Sequence, residues 1–414
     1  MKNLYNLYFR LKNKHLLLFF VGIGLWFGGH SKNADSISHS KKPASFIEVN
    51  TAFGHVFNTN AFVEHIPSYQ AISLRYARAS NGSTWEDFAY YMPFFGIGFY
   101  KPFFVNNPGL GNPFSIYMFR GNTLKQFTDN LGLVFELNLG LSMNWKPYDV
   151  FDNPYNIAIG SPNNVHVGMK LYFEYVLSRN FELKFGAEVN HFSNGSSRKP
   201  NKGINMGALS VSLAYNFNPP NKGSLLRNPP LFKPPTDFPS HLEHDVKFII
   251  SSRQTEFSTK GTNLPSPYVD TDFTVLGLAY SAMFVRGYRY RWGPSARFIY
   301  DESSNAKAWR QENPADGLWY DRVQTAPFAD RLSLGLGVTG EISMPVASVF
   351  ATIGYSVYHK HHADKPFFQV IGIKAYLQEN FYGTFGISAT QFSVAQFLYW
   401  SFGYTFSSVS RQRK

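Results

Sequence analysis

Apolar and polar residues alternate through most of the first half of this chain. Ile47, Val49, Thr51 and Phe53 stand against Glu48, Asn50, Ala52 and Gly54, and Ile72, Leu74 and Tyr76 against Ser73 and Arg75. Phe95, Ile97 and Phe99 alternate with Gly96 and Gly98, every odd position of residues 131–145 is apolar, and residues 165–177 follow the same rule with His166, Lys170, Tyr172 and Glu174 on the other face. A period of two places successive side chains on opposite faces of an extended strand. A shorter stretch at 113–120 and two final limbs, Phe181 to Val189 and Leu209 to Phe217, complete a series of about eight strands, the smallest common size of a membrane barrel.

Composition narrows the fold class. Phe and Tyr number 41 and 25, far above ordinary surface use, yet mean hydropathy is only −0.22. A transmembrane antiparallel β-barrel reconciles the two, because only alternate residues need be apolar. The lumen of so small a barrel is filled by side chains. Glu136, Lys170, Glu174, Lys184 and Glu188 are therefore expected to pair inside it. The absence of cysteine excludes disulfides, thiol catalysis and cysteine metal sites. The formal charge of +12 suits a surface rich in phosphates, but no nucleic-acid motif and no cofactor-binding glycine loop accompanies it. No cofactor and no metal is expected; His359, His361, His362 and Asp364 cluster without regular ligand spacing.

The flanks divide the chain. A basic start with Lys2, Arg10, Lys12 and Lys14, then the apolar run LLLFFVGIGLWFGG, has signal-peptide proportions over 1–30, followed by a polar tail at 31–44. Barrel strands occupy 45–218, and the proline-rich residues 219–243 form a linker. A second series of about eight alternating segments fills 244–407, before a basic tail at 408–414. The second series reads as a diverged copy. Gly168-x-Lys170-x-Tyr172 recurs as Gly372-x-Lys374-x-Tyr376, and Asn180, Phe181, Phe185, Gly186, Phe192 and Ser193 recur as Asn380, Phe381, Phe385, Gly386, Phe392 and Ser393. The expected architecture is two eight-stranded barrels, with one barrel of about 16 strands as the alternative.

Chemistry concentrates at the end of the seventh strand. His191 and Ser193 continue the apolar register of Phe185, Ala187 and Val189, and Asn205 shares their face across a hairpin. Burying polar groups on a hydrocarbon-facing surface is costly unless they are used. His191-Phe192-Ser193-Asn194, with Pro200-Asn201-x-Gly203-Ile204-Asn205, resembles the outer-membrane lipid A deacylases of the PagL type, also labelled acyloxyacyl hydrolases. The resemblance spans about residues 45–218.

That resemblance implies a carboxylic ester hydrolase with Ser193 as nucleophile and His191 as base. Asn194 and Asn201 would be the supporting polar positions around the oxyanion. Where the family pattern has a glutamate to orient the histidine, this chain has Asn205. The partners implied are lipid A of lipopolysaccharide in the outer leaflet and the barrel assembly machinery, and the location is the bacterial outer membrane. Arg198, Lys199 and Lys202 in the following loop are placed to meet lipid phosphates. In the second half Gln391 takes the histidine position, so no second esterase site is expected. A non-catalytic barrel that binds lipopolysaccharide and a diffusion porin are the competing readings; the porin requires a wide lumen.

Overall fold

Each strand of a sheet that enters hydrocarbon must find a neighbour on both edges, and only closure provides that without end. The chain closes twice. The computed structural model describes residues 44–57, 68–80, 87, 89–90, 92–105, 109–219, 240–344, 347–361, 364–378 and 380–407. The expected signal peptide, nearly all of the N-terminal tail, most of the linker and the C-terminal tail lie outside the described residues.

The first barrel comprises β1 (Ser45–Phe57), β2 (Ser68–Ala79), β3 (Phe94–Phe104), β4 (Gly111–Gln126), β5 (Leu131–Trp145), β6 (Asn164–Val176), β7 (Phe181–Ser193) and β8 (Ile204–Asn216). Neighbours pair antiparallel in chain order, and β8 returns to β1 with Phe57 opposite Asn205 and Phe46 opposite Asn216. The second is built from β9 (His241–Arg253), β10 (Phe273–Arg286), β11 (Tyr290–Asp301), β14 (Leu332–Ser343), β15 (Ala347–His359), β16 (Phe367–Tyr376), β17 (Phe381–Thr390) and β18 (Val394–Ser407), with β18 pairing back onto β9. A single barrel of about 16 strands is therefore not formed.

Two details differ from the sequence expectation. The strand expected at 113–120 runs from Gly111 to Gln126, because bulges near Gly111 and Thr123 break its alternation while pairing with β5 continues. Between β11 and β14, β12 (Lys307–Glu312) and β13 (Trp319–Gln324) form a separate hairpin. Its polar residues carry no alternation to reveal it.

The parity is that of a barrel in lipid. Val49, Leu74, Ile97, Ile116 and Leu209 point outward, Leu209 remaining 72% exposed. Apolar surface on that scale, all round the wall, calls for an apolar solvent. The lumen is polar and packed. Glu48, 1% exposed, accepts from Arg75 Nη1 at 2.7 Å and Lys184 Nζ at 2.9 Å, while Arg75 also pairs with Glu136. Lys184 approaches Glu174 at 3.7 Å, and Lys170 donates to Asn50 at 2.7 Å and Ser212 at 3.1 Å. Asn50 in turn donates to Glu188. Of the five charges expected to pair inside, Glu136, Lys170, Glu174 and Lys184 form ion pairs, whereas Glu188 is held by the amides of Asn50 and Asn190. The Arg75 guanidinium also lies over the Phe119 ring, 3.9 Å from its centroid, so charge and ring layers fill the section that a porin would leave open.

The two barrels touch at both ends. At one, Arg289 Nε donates to Ala89 O at 2.7 Å and the rings of Tyr90 and Tyr288 meet. At the other, the β7–β8 loop lies on the outer wall of β17 and β18, so close that a Cβ at Gly195 would fall 2.4 Å from Leu398 Cδ2.

Glu48 is the carboxylate shared by three buried cations, Arg75, Lys184 and, at 4.0 Å, Lys170. Glu48→Gln keeps the shape and removes the charge, leaving Arg75 and Lys184 under-compensated at a cost on the order of 3–5 kcal/mol. Urea unfolding in detergent micelles should show a clearly lowered midpoint, whereas Val49→Ile on the outer face should leave it nearly unchanged.

Candidate active site

Strand register assembles the site. In the β7–β8 ladder Phe192 lies opposite Ile204 and His191 opposite Asn205, so histidine and asparagine leave the sheet side by side. Ser193, two residues after His191, leaves on the same face. Between them Phe192 points inward and is fully buried, stacked on His166 at 4.6 Å between ring centroids and packed on Trp145 at 5.3 Å. That anchor locks the parity of the strand end.

The three polar groups meet at hydrogen-bond distance. His191 Nδ1 lies 2.7 Å from Asn205 Oδ1 and His191 Nε2 lies 2.9 Å from Ser193 Oγ. Because an amide oxygen can only accept, Nδ1 carries the proton, and the Nε2 lone pair faces the serine hydroxyl. Gly203 adopts φ +74°, and a Cβ there would fall 2.8 Å from His191 Cε1, so the loop can lie against the imidazole only at a glycine.

The loop from Asn194 to Gly203 is braced from two sides. Lys202 and Gly203 donate their backbone N–H groups to Ile157 O and Ala158 O of the β5–β6 loop, at 3.2 and 3.0 Å. Within it, Asn194 N donates to Asn201 Oδ1 at 3.0 Å and Arg198 N to Asn194 Oδ1 at 3.3 Å. Both asparagines thus spend their oxygens on the loop. Their Nδ2 groups are buried and have no hydrogen-bond partner among the described residues. Two amide donors are thereby left over in the loop that follows Ser193.

The second brace is the other barrel. Ser196 Oγ donates to Ala395 O at 2.7 Å. Gln254, only 2% exposed, donates its N–H to Ser196 O at 2.9 Å, accepts from Lys199 N at 3.0 Å, and donates through Nε2 to Asp270 and Asp272 at 2.9 and 3.1 Å. Sequence reading missed Gln254, and nothing local marks it. Its importance arises only when a strand end from one barrel meets a loop of the other.

The same docking changes the picture of the basic cluster. Arg198 Nη1 pairs with Asp270 at 2.7 Å, and Lys199 and Lys202 lie 3.6 and 3.7 Å from Glu256. Expected as phosphate contacts, these cations are held by carboxylates of the β9–β10 loop, which a reading of the first half alone could not foresee. Burial pushes the Lys199 ammonium below its ordinary value, with Glu256 opposing.

The second barrel and the histidine-rich loop are built differently. In the second barrel β17 ends at Thr390, and Gln391, Phe392 and Ser393 form the turn to β18, with positive φ at the first two. The counterparts of His191 and Ser193 are off the strand altogether. Asp364, from the histidine-rich loop, binds Arg253 at 2.6 Å and Gln396 at 3.1 Å. His362 lies outside the described residues, and no group of three metal-ligating side chains forms among those that are described.

Comparison with known proteins covers both barrels. Residues 72–214 match the family model described as lipid A 3-O-deacylase (PagL), and residues 244–408 match that described as the C-terminal domain of acyloxyacyl hydrolase. The chain belongs to the PagL-like family. Membership carries deacylation of lipid A at the outer membrane as its general activity. Among solved structures the chain is similar to Neisserial surface protein A, at 13% identity over 42% of this chain and 99% of that one, with a TM-score of 0.28. It is also similar to the beta domain of the Bordetella autotransporter BrkA, at 8% identity over 89% and 99%, with a TM-score of 0.23. No curated protein matches the sequence.

Gln254→Ala removes the acceptor for the Lys199 amide, a hydrogen bond worth about 0.5–1.5 kcal/mol. Exchange of amides in the 195–202 loop should accelerate by about threefold to tenfold while strand amides of β7 keep their protection, as read by hydrogen–deuterium exchange in micelles.

Proposed function

We propose that this protein is a serine esterase that removes an ester-linked acyl chain from lipid A. Ser193 is the nucleophile, His191 the general base, Asn205 the group that holds the imidazole, and Asn194 with Asn201 the oxyanion donors. The observation that carries this reading is the relay from Asn205 through His191 to Ser193 at 2.7 and 2.9 Å, and the loop after Ser193 holds two unpartnered amides.

The steps follow from those contacts. His191 Nε2 takes the hydroxyl proton as Ser193 Oγ attacks the ester carbonyl carbon, since a neutral serine is a poor nucleophile. Negative charge then develops on the carbonyl oxygen, where amide donors act most strongly if already in place. Collapse breaks the bond to the alcohol oxygen of the ester, which leaves with the proton from the imidazolium, and the acyl chain stays on Ser193. A water that gives its proton to His191 then attacks the acyl-serine and releases the fatty acid. Asn205 fixes the tautomer throughout, though an amide stabilises the imidazolium less than a carboxylate would.

Placement supports a lipid substrate. His191 and Ser193 continue the lipid-facing register of Phe185 and Val189, both still exposed, so an acyl chain can reach the serine while it remains in the bilayer. We read residues 1–30 as the export signal, with insertion by the barrel assembly machinery. The second barrel reads as a duplicate that lost its site. In both, the lysine of the repeated Gly-x-Lys-x-Tyr segment is buried in the lumen beside its tyrosine, Lys170 5.3 Å from the Tyr172 ring and Lys374 5.0 Å from the Tyr376 ring. The neutral Asn205 favours a second reading, lipopolysaccharide binding without turnover.

Mass spectrometry of lipid A from cells making each variant decides between them. The native chain should remove one acyl mass and Ser193→Ala none. Asn205→Ala should slow removal by roughly a hundredfold, within the range for general-base catalysis, and Asn205→Asp should accelerate it. If lipid A stays intact with the folded native chain, the esterase reading fails and binding without turnover remains.

A further inference from the structure

The mouth of the second barrel, at the end that meets the catalytic loop, is lined among others by Arg297, Arg331, Lys360, Lys365, Asp364 and Gln396. Its acids are already engaged. Asp301 and Asp364 both pair with Arg253, at 2.9 and 2.6 Å, and of its cations Lys360 is held by Asp330 at 2.9 Å. Burial pushes the Asp364 carboxyl up, but the Arg253 guanidinium more than reverses this and holds it well below the usual carboxylate range. Arg297, Arg331 and Lys365 have no carboxylate within salt-bridge distance among the described residues.

Arg297 is the informative member. Only 9% exposed, it lies on the Phe368 ring at 3.3 Å from the centroid and donates from Nη1 to Ser388 Oγ at 3.2 Å, while its Nε has no partner. Stacking through the face leaves edge donors for a ligand, and a guanidinium edge matches the oxygens of phosphate. A buried charge with no counter-ion of its own is otherwise unfavourable.

The mouth also adjoins the catalytic loop. Gln396 follows Ala395, which binds Ser196, and Arg253 precedes Gln254, which binds Ser196 and Lys199. Ser196 is three residues from Ser193. We propose that this mouth is a subsite for a phosphate oxyanion, occupied by a phosphate of the same lipid A headgroup whose ester meets Ser193. The assignment rests on the lipid A reading above. It gives the second barrel a role in holding the headgroup while the acyl chain lies against the first.

Binding to the full chain carrying Ser193→Ala, in detergent micelles, tests this without consuming the ligand. The probes are lipid A, lipid A stripped of its phosphates, and inorganic phosphate. Adding Arg297→Gln should weaken binding of lipid A by about tenfold or more and leave the stripped lipid unchanged. Inorganic phosphate should compete with lipid A only while Arg297 is present. Equal affinity for both lipids, or an equal loss for both in Arg297→Gln, overturns the subsite. Binding of inorganic phosphate without competition overturns the headgroup as its source. Should Arg297→Gln fail to show the heat-modifiable gel shift of a folded barrel, the rim variant Arg331→Gln with Lys365→Gln carries the same comparison. Turnover by the chain with Ser193 intact is scored separately. Phosphate-dependent binding without turnover sinks the esterase reading alone, and turnover with phosphate-independent binding sinks the subsite alone.

Discussion

One register, that of β7 on β8, is what the rest depends on. His191 faces Asn205 because Phe185 faces Val211 and Val189 faces Gly207 in the same ladder, and a slip of one residue would turn every one of these side chains to the other surface. Such a slip would bury Phe185 and Val189 among the lumen charges and push Lys184 and Glu188 into lipid. The geometry of the relay is thus enforced by the partition of the whole wall between an apolar outside and a polar inside. Phe192 adds a local lock by filling the lumen between Trp145 and His166.

The lumen secures that partition electrostatically. Glu48 on β1, Arg75 on β2, Glu136 on β5 and Lys184 on β7 come from strands spread around the barrel and meet in one layer. Their pairing is satisfied only when the sheet is closed, so the network rewards closure itself and not any one hairpin. Removing water from these charges carries a penalty that good geometry must offset. The aromatic rings over Arg75 and Lys184 supply part of that compensation.

Most of the first barrel could be read directly from alternation, since each strand has one face in lipid. The relay could be read too, because parity alone puts His191, Ser193 and Asn205 on one face. What could not be read depends on the second barrel. Arg198, Lys199 and Lys202 look like free cations in a loop, and only the docked β9–β10 loop supplies Asp270 and Glu256 to hold them. Gln254 is one polar residue at a strand end until the fold brings Ser196 and Lys199 to it. The β12–β13 hairpin escaped for a different reason: outside lipid, its two strands bury no continuous face, so no period is imposed on their residues.

The second barrel offers no strand end on which such a site could stand. Thr390 closes β17 early, and the tight turn at Gln391 to Ser393 shortens the wall beside Gly195. That shortening is what leaves room for the β7–β8 loop of the first barrel to lie across β17 and β18, with Ser196 bonded to Ala395 just beyond the turn. A β17–β18 connection as long as the β7–β8 loop would occupy the same place and displace it. The early end of β17 and the bracing of the loop beside Ser193 therefore follow from the same few residues.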